Sequence, residues 1–171
     1  MNPPIIKPSP IADRACKAIP AAIVFLAMAV MALPLPLAVG AMPHFAFLFV
    51  IIWAILQPRL MPVWVAFLLG VVFDLLSGQP LGQSSLLFAG AVATVRLAED
   101  RFEGHSLAVD WLFTALVVLV AQLLSWQITS FFGATTALWP FLLQALTTIF
   151  AYPLAVAIAA RVQQKILVWT A

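Results

Sequence analysis

Asp74 is the one carboxylate set well inside an apolar run of this chain. It lies in Gly70–Gly82, which reads G-V-V-F-D-L-L-S-G-Q-P-L-G. An ionisable side chain in a membrane segment is costly, so its default reading is functional. The chemistry open to it is limited. No second intramembrane carboxylate pairs with it, as an aspartyl protease needs. No cation shares its face, as expected of a proton-coupled carrier. Ser77, Ser84 and Ser85 lack a nearby histidine and a G-x-S-x-G frame. They read as capping and turn residues. There is no H-E-x-x-H, and His44 and His105 fall in different loops. Cys16 is the sole cysteine, which excludes an intrachain disulfide and a multi-cysteine metal site. Neither a catalytic centre nor a bound metal or cofactor is expected.

The elements that must position Asp74 follow from composition. The chain has 171 residues, 65% hydrophobic and 8% charged, with mean hydropathy +1.13. Soluble domains carry about 25% charged residues. The expected class is therefore an all-α membrane protein, a compact bundle of six transmembrane helices. The apolar runs are Ile19–Val39, Phe45–Leu56, Pro62–Leu76, Leu81–Val95, Leu107–Phe132 and Trp139–Ala160. Several are shorter than the ~20 residues that cross a hydrocarbon core, and imply tilt or local thinning. Residues 1–18 read as a proline-rich cytoplasmic tail. Residues 19–171 read as a single six-span domain with a short cytoplasmic end.

Six spans put Lys7, Arg14, Lys17, Arg59, Arg96, Arg101, Arg161 and Lys165 on one side. These are all eight Lys and Arg of the chain. The positive-inside rule then assigns that side, with both termini, to the cytoplasm. Trp53, Trp64, Trp111 and Trp169 fall near the inner interface and Trp139 near the outer one. The mixed-sign segment Arg96–Asp110 becomes a cytoplasmic connector or docking loop.

With this orientation Asp74 lies in the outer half of the third span, one turn from its end. Ala66, Gly70, Asp74 and Gly78 recur at intervals of four on one face, which lets a neighbouring backbone approach. Ser77, Gly78, Pro80, Leu81 and Gly82 end that span and turn the chain. Ser84 and Ser85 open the fourth span. Gln122, Ser125 and Thr129 form a stripe on the fifth, and Gln144, Thr148 and Tyr152 one on the sixth. The cluster Ser84, Gln122, Ser125, Gln144 and Thr148 thus converges on the outer half of the bundle. Two readings fit: internal hydrogen bonds that hold the helices together, or a pocket or groove open to the outside.

The string Q-P-R-L-x-P-x-W followed by F-L-L-G-x-x-x-D-L-L-S-G-x-P-L-G-x-x-S-L-L-F, within Pro43–Phe88, resembles the bacterial rod shape-determining MreD family. Gly70, Asp74, Gly78, Pro80, Leu81 and Gly82 carry the resemblance. It implies a non-enzymatic scaffold in the inner membrane that helps organise peptidoglycan synthesis and rod shape. Implied partners are MreC directly, with MreB, RodA and a penicillin-binding transpeptidase in the same assembly. It also implies the six-helix fold of substrate-binding subunits of energy-coupling-factor transporters. The alternative function is then a vitamin-type binding subunit of a membrane transporter.

Overall fold

A computed structural model describes residues 10–32, 42–98, 106–132 and 137–170. Among them are six helices and no strand: α1 (Pro10–Ala32), α2 (Phe45–Leu56), α3 (Val63–Ser77), α4 (Gln83–Leu97), α5 (Leu107–Phe131) and α6 (Trp139–Thr170). Lys7, Arg101, His105, most of the charged loop and the proline pair Pro34 and Pro36 lie outside the described residues.

The first helix begins earlier than the apolar run. Proline suits a first helical turn, because its missing N–H would have had no partner there. Ala, Arg and Lys are good helix formers. Residues 10–18 are therefore helical and continuous with α1.

Two helices, α5 and α6, contain segments long and apolar enough to cross a membrane by themselves: Leu107–Phe131 and Trp139–Gln164. By contrast α2 has 12 residues and α3 and α4 have 15 each. At 1.5 Å per residue these reach only about 18–23 Å, against a core of ~30 Å.

The centre of the bundle is α2. Every residue from Ala46 to Ala54 is buried. A helix that is apolar on all faces is either a core helix or a lipid-facing span; α2 is the former, packed against α1, α4 and α6. Trp53 is fully buried there, so it is a core residue and not the interfacial anchor expected from sequence. Trp64 and Trp139 are exposed.

Around this apolar core, polar side chains are buried and many large apolar ones exposed. Asp74, Gln83, Ser84, Ser85, Thr114, Gln122, Ser125 and Thr148 are buried. Phe25, Leu26, Trp64, Phe67, Leu68, Leu112, Leu116, Phe150 and Leu154 point outward. Exposed apolar surface on this scale marks a face that meets a membrane or a partner.

The tightest pairing is α3 with α4. The turn between them, the start of α2 and the ends of α1, α5 and α6 meet at one end of the bundle. Arg59, Arg96 and Arg161 lie toward the other end. There the Arg96 guanidinium donates to the Pro58 carbonyl and ties α4 to the α2–α3 loop.

Candidate functional site

The Gly70–Gly82 stretch is a helical hairpin in which each singled-out residue has a mechanical task. Gly70 is buried against the first turn of α4. A Cβ built there would sit 2.4 Å from Ser85 Cα, 2.5 Å from Ser85 N and 2.7 Å from the Ser84 carbonyl carbon. Only glycine permits that approach. At the far end of α3, Gly78 adopts φ 66°, ψ 22° and closes the helix in the left-handed conformation. Pro80 then opens a turn closed by the Gln83 N–H donating to the Pro80 carbonyl at 3.1 Å. Gly82, at φ 96°, ψ −14°, holds the third position of that turn, which asks for positive φ.

Asp74 locks the hairpin. It is 1% exposed. Its Oδ2 accepts the Gly82 N–H at 2.8 Å and its Oδ1 the Ser84 N–H at 2.9 Å. Both are free donors of the first turn of α4, where the helix dipole favours an anion. The carboxylate of α3 thus caps α4 across the turn, since Gly82 has no side chain to do so.

Beside the hairpin lies a cavity of about 570 Å³. Ser77, Gly78, Pro80, Ser84, Gln122, Ser125 and Gln144 line it. Asp74, Leu81, Gly82 and Thr148 do not. Leu81 is 71% exposed on the outer face of the turn. Thr148 lies behind the cavity, where its Oγ1 accepts the His44 N–H at 2.9 Å and donates to the Gln144 carbonyl at 2.6 Å. Gln122 Nε2 donates to Gln144 Oε1 at 3.0 Å, pairing α5 with α6. Thr129 donates to the Ser125 carbonyl one turn back.

Among the lining residues that sequence does not single out, Gln83 and His44 make side-chain hydrogen bonds. Gln83 bridges α4 to α5, its Nε2 donating to Ser125 Oγ at 3.3 Å. His44 caps α2, with Nδ1 accepting the Phe47 N–H at 3.2 Å. Its ring stands 5.0 Å from that of Phe73 and 6.1 Å from that of Phe88, centroid to centroid. Desolvation pushes the His44 imidazole, in the loop before α2, down to about 4. It is neutral at pH 7, and with Nδ1 accepting, the proton sits on Nε2. The signals were faint: a histidine three residues ahead of an aromatic position, and a glutamine directly after the turn glycine.

Chemically the site offers amides, hydroxyls and one neutral imidazole. Among the described residues no group of three His, Cys, Asp or Glu could hold a metal ion. The one carboxylate nearby has each oxygen held by a backbone N–H. The arrangement can hold a shape and offer hydrogen bonds, and no nucleophile is set beside a base.

No curated protein and no solved structure matches the chain at a significant level. A family model described as rod shape-determining protein MreD matches residues 17–162, most of the chain and the whole of the hairpin. That coverage shows the family: the chain belongs to the rod shape-determining protein MreD family, a structural family and not a known family of enzymes.

Proposed function

We propose that this chain is a non-enzymatic scaffold of the bacterial cell-elongation machinery. It sits in the inner membrane as a six-span bundle with both termini cytoplasmic. Its outer end engages MreC, and so helps organise peptidoglycan synthesis with MreB, RodA and a penicillin-binding transpeptidase. The observation that carries the reading is the hairpin. Four constraints (Gly70, Asp74, Gly78 and Gly82) hold one turn rigid and present Leu81 outward. A rigid exposed apolar turn is a preorganised contact, because little further ordering is lost on binding. The basic residues Arg59, Arg96 and Arg161 toward the opposite end support the orientation through the positive-inside rule. The segment Arg96–Asp110 on that side is the proposed contact for MreB.

The test is co-purification of MreC with wild type and with Leu81→Ala, Leu81→Gln and Pro80→Ala variants, each checked for membrane insertion and monodispersity. Loss of MreC from the Leu81 variants supports the contact. Full retention by all three removes the turn as the docking surface. Failure of the wild type to restore rod shape to cells depleted of their own MreD would count against the scaffold role itself.

A further inference from the structure

Pro153 interrupts α6 and has no N–H to donate. In a regular helix that N–H would bond the carbonyl four residues back, here that of Ile149. The proline ring also presses against the same carbonyl. The Ile149 carbonyl is thus left over in a helix long and apolar enough to cross a membrane. Lipid offers it no donor, and a proline in such a helix is tolerated because a neighbour supplies one. The neighbour is Trp111, near the start of α5. Its Nε1–H donates to the Ile149 carbonyl at 3.0 Å. The indole replaces, from another helix, the bond that Pro153 removes.

The surroundings let this join move. A gap of about 330 Å³ lies at the break, lined by Leu107, Ala108, Trp111, Tyr152, Pro153 and Val156. Beyond the proline, the buried side chains among those described are the small Ala155 and Ala159. Methyl-sized side chains interlock little with a neighbouring helix. Before the proline, by contrast, the Gln122–Gln144 pair ties α6 to α5, and Thr148 accepts the His44 N–H ahead of α2. The half before Pro153 is thus pinned, and the indole sits at its boundary with the half that follows.

We propose that Trp111 is the latch of a hinge in α6. With the indole in place, α6 keeps one angle at Pro153. When the indole lets go, the half beyond the proline changes its angle while the half before it stays. Trp111 directly follows the charged Arg96–Asp110 segment, so a load on that segment reaches the latch first. The inference concerns α6 alone and does not rest on the scaffold reading.

The test is distance measurement by double electron–electron resonance on the full chain in nanodiscs, with Cys16→Ser as background. Spin labels go on exposed positions: Leu68→Cys in α3 is paired with Ile158→Cys beyond the proline, and separately with Leu146→Cys before it. Trp111→Phe keeps an aromatic ring and removes the donor. It is expected to shift or broaden the distance to position 158 and to leave the distance to position 146 as it was. Pro153→Ala restores an N–H for the Ile149 carbonyl, so in that background Trp111→Phe should move neither distance. An unchanged distance beyond the proline in Trp111→Phe overturns the proposal. Equal broadening of both pairs overturns it too, since that marks general loosening. So does a Trp111→Phe effect of the same size in the Pro153→Ala background. Should Trp111→Phe fail to insert, rescue of insertion by Pro153→Ala supports the latch, and failure in both backgrounds overturns it.

Discussion

Gly70→Ala is the most discriminating perturbation of the hairpin. The added methyl would meet backbone atoms of α4 at 2.4–2.7 Å, where ordinary contact begins at 3.4 Å. Backbone in a helical first turn cannot rotate aside as a side chain can. The helices must therefore part by about 1 Å at that level, or α3 must twist. Either movement acts on Asp74 one turn further on. Its hydrogen bonds of 2.8 and 2.9 Å would stretch past useful length, leaving a buried carboxylate underpaired. Each such charge-assisted bond contributes about 1.5–3 kcal/mol, and overpacking adds about 1–3 kcal/mol. The better helix propensity of alanine offsets only about 1 kcal/mol. The expected net loss is about 3 kcal/mol or more. Gly90→Ala is the matched control, since nothing lies within 4 Å of a Cβ there. It should be neutral or stabilising by up to ~1 kcal/mol. Equilibrium unfolding in mixed detergent micelles measures both. A Gly70→Ala protein within roughly half a kcal/mol of wild type, the usual scatter of harmless substitutions, would refute the close-approach account.

Further outcomes follow from the same geometry. Asp74→Asn replaces one accepting oxygen by an NH₂ group facing a backbone N–H, and should cost about 2–3 kcal/mol by the same unfolding assay. Gly82→Ala forces a side chain to φ 96° and should cost about 1–2 kcal/mol; Gly78→Asn, at φ 66°, should cost less, because asparagine tolerates that region. His44 supplies a pH dependence. Its folded value of about 4 lies below the ordinary 6.5, so the unfolded chain binds the proton first. Stability is then full above pH 6.5 and falls as the pH drops toward 4, by at most about 3 kcal/mol. His44→Asn keeps a cap acceptor without the titration, and should flatten that part of the melting-temperature profile against pH; an unchanged slope would exclude His44 as its source.

The hairpin was legible because glycine, aspartate and proline each restrict the backbone in a way that spacing alone reveals. Small residues four apart predicted a close helix contact, and Gly70 meets Ser85 there. Helical period and topology gather Ser84, Gln122, Ser125, Gln144 and Thr148 at one end of the bundle; the first four line one cavity and Thr148 does not. What period could not give was the position of α2. Its sequence is apolar on every face, so period assigns none of them, and Trp53 reads as an interfacial residue. With α2 unplaced, His44 had no neighbours and read as a loop residue. Its contacts with Phe73, Phe88 and Thr148 come from three other helices. Gln83 was hidden for the opposite reason. It stands next to the turn glycine, where a polar side chain looks solvated, yet the turn folds it inward onto Ser125.

These placements change how substitutions in the signature should be interpreted. Gly70, Asp74 and Gly82 act on one structure, the seam between α3 and α4, and none of them lines the cavity. Their replacement should abolish partner binding, with stability lost in proportion. Such variants cannot map a contact. Leu81 is different: it leaves the seam intact and lies outside the cavity. If the outer face recruits MreC, Leu81→Ala should lose it while the protein stays folded, whereas Gly70→Ala should lose it only as the fold itself fails. Retention of MreC by a folded Leu81→Ala protein would place the contact away from the turn.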